Sequence, residues 1–222
     1  VALRYRFPAQ PGRSMLMLAD EATEFAFPAG ALATILPLAN FTTSHEARYQ
    51  RRRVEDIPAG TLLGLPLVVE LPGVATLAVL EANLTDYAGL YLARSSGSRA
   101  LVSRLSPRPD EPALAVRANL PHESPWRLLL VGADARALLE SDTVLKLNAP
   151  SRIDDTSWIE PGMTTFPWWN GYFETDVPFR MGLNTGTAKL YIDFCAEYGI
   201  PYHTLDGFDG VAWYGGPIVP YQ

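Results

Sequence analysis

The chain has 222 residues, of which 48% are hydrophobic and 19% charged, so its composition is that of a folded globular protein and not of a disordered one. Its formal net charge of −6 argues against a nucleic-acid-binding surface as its main function. The sequence contains no apolar run long enough to cross a bilayer. The single cysteine, Cys195, excludes an internal disulfide framework and a multi-cysteine metal site.

Residues 1–150 consist of short apolar runs separated by turn residues, a pattern that predicts a β-sandwich. The predicted strands are 3–7, 23–27, 65–70, 75–81, 88–93, 100–105 and 126–131. A short helix is predicted at 134–140, with Asp134 as its N-cap. Residues 48–53 include four arginines, which we interpret as a solvated loop or an edge strand.

A different pattern follows Pro150. We predict a buried strand at 164–170, a helix at 185–198 between Asn184 or Thr185 and Gly199, and a strand at 200–205. Strand, helix and strand together predict a βαβ unit, with a parallel pair and a right-handed crossover. Because a (β/α)8 barrel needs about 250 residues, residues 151–222 can hold only the opening of such a domain.

Several catalytic motifs are missing from the sequence. It has neither a G-x-G-x-x-G motif nor a P-loop, and it lacks the G-x-S-x-G elbow of hydrolases with a serine nucleophile. The three histidines stand far apart, which makes a zinc site improbable. We interpret His203, within the last predicted strand, as a core or rim histidine with a satisfied hydrogen bond.

Two carboxylates stand at the ends of predicted strands. Asp206 follows the last strand, and ligands bind at the carboxyl ends of parallel strands, but an aspartate before Gly207 is also a common turn residue. Glu81 ends an apolar strand, where a charge usually only marks the surface. A calcium ion needs several oxygen ligands, and the spacing around Glu81 reveals only one.

Aromatic residues are dense between positions 158 and 173. Such a group can form part of a core, or its ring faces can stack on sugars. The residues are Trp158, Phe166, Trp168, Trp169, Tyr172 and Phe173.

Several segments resemble glycoside hydrolase family 97, a family of α-glucosidases and α-galactosidases. In the second part of the chain they are DTSWIEPG at 155–162, WWN at 168–170, NT at 184–185 and YIDFCAEYGI at 191–200. In the first part they are RYRFP at 4–8, EF at 24–25, LEANLTDY at 80–87 and SPWR at 124–127. The segments occur in the family's order and cover nearly the whole chain.

The resemblance implies a mainly β fold, a β-super-sandwich followed by the first βαβ unit of a (β/α)8 barrel. Residues 1–150 would then be the later part of the sandwich, without its N-terminal part, and residues 151–222 an incomplete catalytic barrel. The sequence starts at Val1 without an initiator methionine or a leader, so we also expect it to be a segment of a longer protein. The family's catalytic acid and base would lie beyond Gln222.

The resemblance also implies a cofactor, site residues and a partner. Glu81 matches the glutamate that the sandwich contributes to a calcium site, and Asp206, Trp169 and Asn170 match positions on the substrate side of the barrel. The substrate would be an oligosaccharide, and the location periplasmic or secreted. The segment DGFDG at 206–210 departs from the expected Glu-Gly-Trp type, which leaves the sugar open.

Two other functions remain open from the residues alone. The chain can be a carbohydrate-binding β-sandwich without catalysis, or a structural or interaction protein of the sandwich class. The βαβ unit after Pro150 argues against a free-standing lectin, which has no need of one.

Overall fold

The computed structural model describes residues 1–170, 176–205, 207–208 and 211–212. The chain divides into two compact units, Val1–Pro150 and Ser151–Gln222.

The first unit consists mainly of β-strands. Its strands are β1 (Ala2–Leu3), β2 (Arg6–Phe7), β3 (Met15–Leu18), β4 (Glu24–Ala26), β5 (Leu32–Leu38), β6 (Gln50–Arg53), β7 (Leu62–Leu71), β8 (Ala75–Ala82), β9 (Leu90–Arg94), β10 (Ala100–Leu105), β11 (Val116–Asn119), β12 (His122–Glu123) and β13 (Trp126–Gly132). A 3-10 turn spans Val54–Asp56, and two short helices, α1 (Ala135–Leu139) and α2 (Thr143–Leu147), follow β13.

Within the described part of this unit, nine strands form one antiparallel sheet that curls at β7. The order is β1-β13-β8-β7-β9-β10-β4, and β5 pairs with both β7 and β6. The second half of β7 pairs with β8 and its first half meets β9, at Leu63 opposite Leu92. Since β8 and β9 meet different halves of the same long strand, the sheet folds over and its inner faces enclose a core. Two further pairs, β3 with β11 and β2 with β12, stand apart from this sheet.

Alternation along the strands explains the core. In β7 the side chains of Leu67 and Val69 are buried while those of Pro66, Val68 and Glu70 are more exposed, as expected when one sheet face is covered. Side chains from β5, β7, β8, β9, β10 and the 3-10 turn complete the cluster. Its buried members are Phe27, Ala31, Ala33, Ile35, Val54, Ile57, Leu63, Leu67, Val69, Leu77, Val79, Leu90, Leu92 and Leu101.

The predicted mainly β character of residues 1–150 is confirmed, with some corrections. Strand β10 has the predicted bounds, and the arginine-rich segment is the exposed edge strand β6. Residues 3–7, predicted as one strand, instead contribute to β1 and β2, which pair with β13 and β12 respectively. The sequence pattern did not predict β5, which contains Pro37 beside a register shift between Thr34 and Leu36.

The second unit contains the predicted parallel pair. Strand β14 (Thr164–Thr165) lies parallel to β15 (Tyr202–His203), and helix α3 (Thr185–Tyr198) connects them in the sequence. The helix has its predicted bounds: Asn184 Oδ1 accepts a hydrogen bond from the Thr187 amide (3.0 Å), and Gly199 ends the helix with φ of 67°. Strands β16 (Gly207–Phe208) and β17 (Val211–Ala212) pair antiparallel. None of the helices described is long and apolar enough to cross a bilayer.

The prediction of a long buried strand at 164–170 is wrong. The strand ends at Thr165, and Pro167–Asn170 forms a 3-10 turn. Proline has no amide hydrogen to donate to a strand ladder, so Pro167 favours this early end. The second predicted strand is also shorter, because only Tyr202–His203 of residues 200–205 pairs.

Candidate functional site

A buried ion cluster occupies the first unit, and its centre is Arg127. The Arg127 side chain is 0% exposed, and its guanidinium donates to both oxygens of Glu21, from Nε to Oε1 (2.8 Å) and from Nη2 to Oε2 (2.6 Å). Its third nitrogen, Nη1, donates to Glu81 Oε2 (2.9 Å). We call Glu21, Glu81 and Arg127 the Arg127 cluster. Its bidentate contact has the geometry in which arginine binds carboxylates most strongly.

Strand register brings Glu81 and Arg127 together. Glu81 lies in β8 directly opposite Arg127 in β13, so the two side chains share one face of the sheet. Both carboxylate oxygens of Glu81 have a donor, because the Leu90 amide donates to Oε1 (3.1 Å). Its side chain is 19% exposed, so the carboxylate is not sealed from solvent.

Glu21 is held by a separate set of hydrogen bonds. The Thr23 hydroxyl donates to Glu21 Oε1 (2.6 Å), and the Ser103 hydroxyl donates to the Glu21 carbonyl (2.6 Å). The Thr23 amide in turn donates to the Ser103 hydroxyl (2.9 Å). Strand β10 therefore fixes the main chain of Glu21 directly and its side chain only through Thr23.

Tyr87 covers the guanidinium. The Arg127 Cζ atom lies 5.6 Å from the centre of the Tyr87 ring, and the same ring stacks on His122 with a centroid distance of 6.1 Å. Burial, with the nearby Glu21 charge, raises the pKa of Tyr87, so its hydroxyl keeps its proton at neutral pH.

The charges in this cluster do not cancel. Two carboxylates face one guanidinium, which leaves a formal charge of −1 when both acids are ionised. Burial raises the pKa of Glu81, while the Leu90 amide and Arg127 oppose this shift. Burial thus disfavours the ionised form of Glu81, and a further cation bound at this carboxylate would stabilise that form.

The described residues fit one ligand of a calcium site and not a whole site. A carboxylate offers about four acceptor positions, and Glu81 uses one on each oxygen. Calcium needs six to eight oxygens, and the described part of the chain has no group of three histidine, cysteine, aspartate or glutamate side chains that could hold a metal. Glu81 can therefore bind calcium only together with ligands from elsewhere.

The second unit has a small cavity at the carboxyl ends of β14 and β15 and the amino end of α3. Its volume of about 20 Å³ is enough for one water molecule. Pro167, Asn184, Thr187 and His203 contribute to its lining. Carboxyl ends of parallel strands are the usual place for ligands in α/β folds.

His203 has one satisfied nitrogen, as the sequence predicted. Its Nδ1 is hydrogen-bonded to Thr165 Oγ1 (2.7 Å), and its ring stacks on Tyr191 with a centroid distance of 5.6 Å. The other nitrogen, Nε2, is buried and has no hydrogen-bond partner among the described residues. Burial lowers the pKa of His203, which favours a neutral ring.

The substrate-side residues that the sequence singled out are only partly described. Trp169 lies in the 3-10 turn after β14 and is 80% exposed, and Asn170 is the last residue of that turn. Asp206 lies outside the described residues. Trp158 is also largely exposed, so neither tryptophan forms part of a core in this unit.

Sequence reasoning found Glu81 but missed Glu21 and Arg127. A signal for Arg127 existed, since a charged residue within the apolar run of β13 needs a partner when the strand is buried. Glu21 lies 106 positions from Arg127 in the sequence, and no local pattern connects them.

Comparisons with known proteins agree on one family. The family model described as "Glycosyl-hydrolase 97 N-terminal" matches residues 1–150. The retaining alpha-galactosidase of Bacteroides thetaiotaomicron is 29% identical over 229 aligned residues, covering 92% of this chain and 34% of that protein. A probable retaining alpha-galactosidase of Streptomyces bingchenggensis is 35% identical over 94 residues, covering 42% of this chain and 13% of that protein.

Solved structures agree with this match. A glycoside hydrolase family 97 enzyme of Pseudoalteromonas sp. strain K8, in complex with acarbose, has a TM-score of 0.75 and 28% identity, covering 90% of this chain and 30% of that one. The chain thus spans about a third of the length of the Bacteroides and Pseudoalteromonas proteins. The family match over residues 1–150 includes every residue of the Arg127 cluster. The chain belongs to glycoside hydrolase family 97.

Proposed function

We propose that the full-length protein is an α-glycosidase that releases α-linked galactose or glucose from an oligosaccharide. The observation that carries this proposal is the similarity, over 92% of the chain, to a retaining alpha-galactosidase. The acarbose complex of the Pseudoalteromonas enzyme supports a carbohydrate substrate as well.

Glycosidases of this kind use two carboxylates, one as general acid and the other as base or nucleophile. By the family resemblance this pair lies outside these 222 residues, so we propose that the chain alone is inactive. Within the chain, the exposed indole of Trp169 offers a flat face for a sugar ring. Asn170 and Asp206 are proposed to bind sugar hydroxyls.

We further propose that calcium is a cofactor and that Glu81 supplies one of its ligands. The support is the partial exposure of Glu81, its unused acceptor positions and the net negative charge of the Arg127 cluster. Calcium would supply positive charge that orients a sugar or a catalytic carboxylate. The remaining oxygens would come from other acidic residues of the full-length protein.

The catalytic proposal is tested by hydrolysis of nitrophenyl α-galactoside and α-glucoside. The full-length protein is expected to hydrolyse at least one of them, and the 222-residue chain neither. Acid and base catalysis each contribute about 10²- to 10⁴-fold in rate, so a chain without them should not exceed the buffer rate. An inactive full-length protein that still binds oligosaccharides would instead support a carbohydrate-binding module.

The calcium proposal is tested by a calcium titration of activity after chelation, for wild type and Glu81→Gln. The glutamine keeps the size of the side chain and one carbonyl oxygen but loses the charge. The variant should need more calcium and regain part of its activity in excess. A matched control is Glu70→Gln, because Glu70 forms an ion pair with Arg51 that is largely exposed. Superimposable curves for wild type and Glu81→Gln would make Glu81 a structural carboxylate only.

A further inference from the structure

The Arg127 cluster has an asymmetry that bears on Glu81. Of the three guanidinium nitrogens, two serve Glu21 and only one serves Glu81. Each Glu81 oxygen therefore accepts one hydrogen bond, from the Leu90 amide at Oε1 and from Arg127 at Oε2. These two donors fix the plane of the carboxylate and leave an acceptor position on each oxygen.

Glu21 determines how many of the guanidinium nitrogens of Arg127 can donate to Glu81. Without the Glu21 charge, the planar guanidinium could turn both of its arms to Glu81, since arginine favours bidentate contact with a carboxylate. Glu81 would then lose its second acceptor position at Oε1, because Oε1 would accept from Arg127 as well as from the Leu90 amide, and the cluster charge would change from −1 to 0. Both changes would weaken the binding of a cation at Glu81.

The surroundings keep this arrangement rigid. Arg127 is completely buried, Tyr87 lies against its guanidinium, and Thr23 and Ser103 hold Glu21 in place. A buried charge that is hydrogen-bonded on all three nitrogens has few alternative rotamers, so it can act as a fixed support for a ligand.

We propose that Glu21 and Arg127 are positioning residues, which hold the Glu81 carboxylate in the orientation in which it binds calcium. The inference rests on the proposed calcium role of Glu81. Neither Glu21 nor Arg127 is a ligand in this proposal, and both act through Glu81.

The test is calcium binding to the full-length protein, measured by isothermal titration calorimetry after chelation and dialysis. Glu21→Gln keeps the shape of the side chain and removes its charge, and Arg127→Lys keeps the charge and removes the planar fork. Groups that orient metal ligands typically contribute about 10- to 100-fold in metal affinity, so each variant should raise the calcium Kd at least about 10-fold. Glu70→Gln, in an exposed ion pair, should bind like the wild type.

A double variant separates positioning from a general structural role. If Glu21 acts through Glu81, then Glu21→Gln combined with Glu81→Gln should bind calcium no more weakly than Glu81→Gln alone. A purely structural role would lower the unfolding temperature of Glu21→Gln while leaving its Kd unchanged. If Arg127→Lys does not fold, Glu21→Gln decides, since Arg127 there retains Glu81 as its partner.

The outcomes distinguish this inference from the calcium proposal. A wild type without calcium binding, or a Glu81→Gln variant with an unchanged Kd, overturns both. If Glu81→Gln binds more weakly but folded Glu21→Gln and Arg127→Lys stay within about twofold of the wild-type Kd, only the positioning role fails.

Discussion

Arg127 is a charged residue at a buried position within the apolar run of β13, where an apolar side chain would be expected. A buried charge is costly unless its hydrogen bonds are complete, and Arg127 donates from all three nitrogens to two carboxylates. Each member of the cluster therefore depends on the others. Replacing Arg127 should lower the free energy of unfolding more than replacing either acid, because it leaves two buried carboxylates facing each other.

We therefore expect Arg127→Met to destabilise the 222-residue chain. The variant should lose about 3–5 kcal/mol of unfolding free energy, the usual cost of breaking a buried ion pair. Glu81→Gln should lose less, since Arg127 keeps its bidentate contact with Glu21. Urea unfolding followed by tryptophan fluorescence measures both.

Arg51→Met is the control for this comparison. Arg51 also pairs with a glutamate, Glu70, but its side chain is 59% exposed, so its loss should change stability little. Equal losses for Arg51→Met and Arg127→Met would contradict a special role of burial.

Only part of this cluster could be predicted from the sequence. Glu81 could be singled out because it stands within a recognisable run, LEANLTDY at 80–87. Its connection to Glu21 could not, because it passes through Arg127 and depends on a strand register that only the folded sheet defines. Long-range polar contacts of this kind leave no periodic pattern in the sequence.

Elements with local signals were predicted best. Helix α3 was predicted with its observed bounds because Asn184 and Gly199 are a capping residue and a C′ glycine, both readable in sequence. The short strands β14 and β15 were predicted too long, since apolar residues continue past the point where pairing stops. Strand β5 was missed because it contains Pro37, a residue that argues against a strand in sequence, and because its pairing shifts register nearby.

Capping gives a prediction at the scale of elements. Helices α1 and α2 each have five residues and an aspartate at the N-cap, but only the Asp134 side chain accepts capping hydrogen bonds from helix amides, those of Arg136 and Ala137. Asp134→Ala should therefore destabilise the chain by about 1 kcal/mol. Asp142→Ala should cost less, because it removes only an exposed ion pair with Lys146. Urea unfolding of both variants gives the comparison, and a larger loss for Asp142→Ala would contradict it.

At the scale of the whole molecule, the two units differ in how they cover their apolar surface. The first unit encloses a cluster of fourteen buried side chains between the faces of its curled sheet. In the second, the parallel pair β14–β15 has two residues in each strand, and large apolar side chains such as Trp158, Met163 and Trp169 are mostly exposed. A parallel sheet is normally covered on both faces, whereas in the described part of this unit one residue of each strand in the pair β14–β15 is exposed.

The difference predicts that a shortened chain ending at Pro150 behaves better in solution than the 222-residue chain. Exposed aromatic side chains and open strand edges associate with other copies, and the described part of residues 151–222 carries both. The shortened chain should elute as a monomer in size-exclusion chromatography with light scattering at concentrations where the longer chain forms larger species. Limited proteolysis of the longer chain should remove residues after Pro150 first, because few of their side chains are buried among the described positions. A monomeric 222-residue chain whose residues 151–222 resist protease would show that the second unit is stable as it stands.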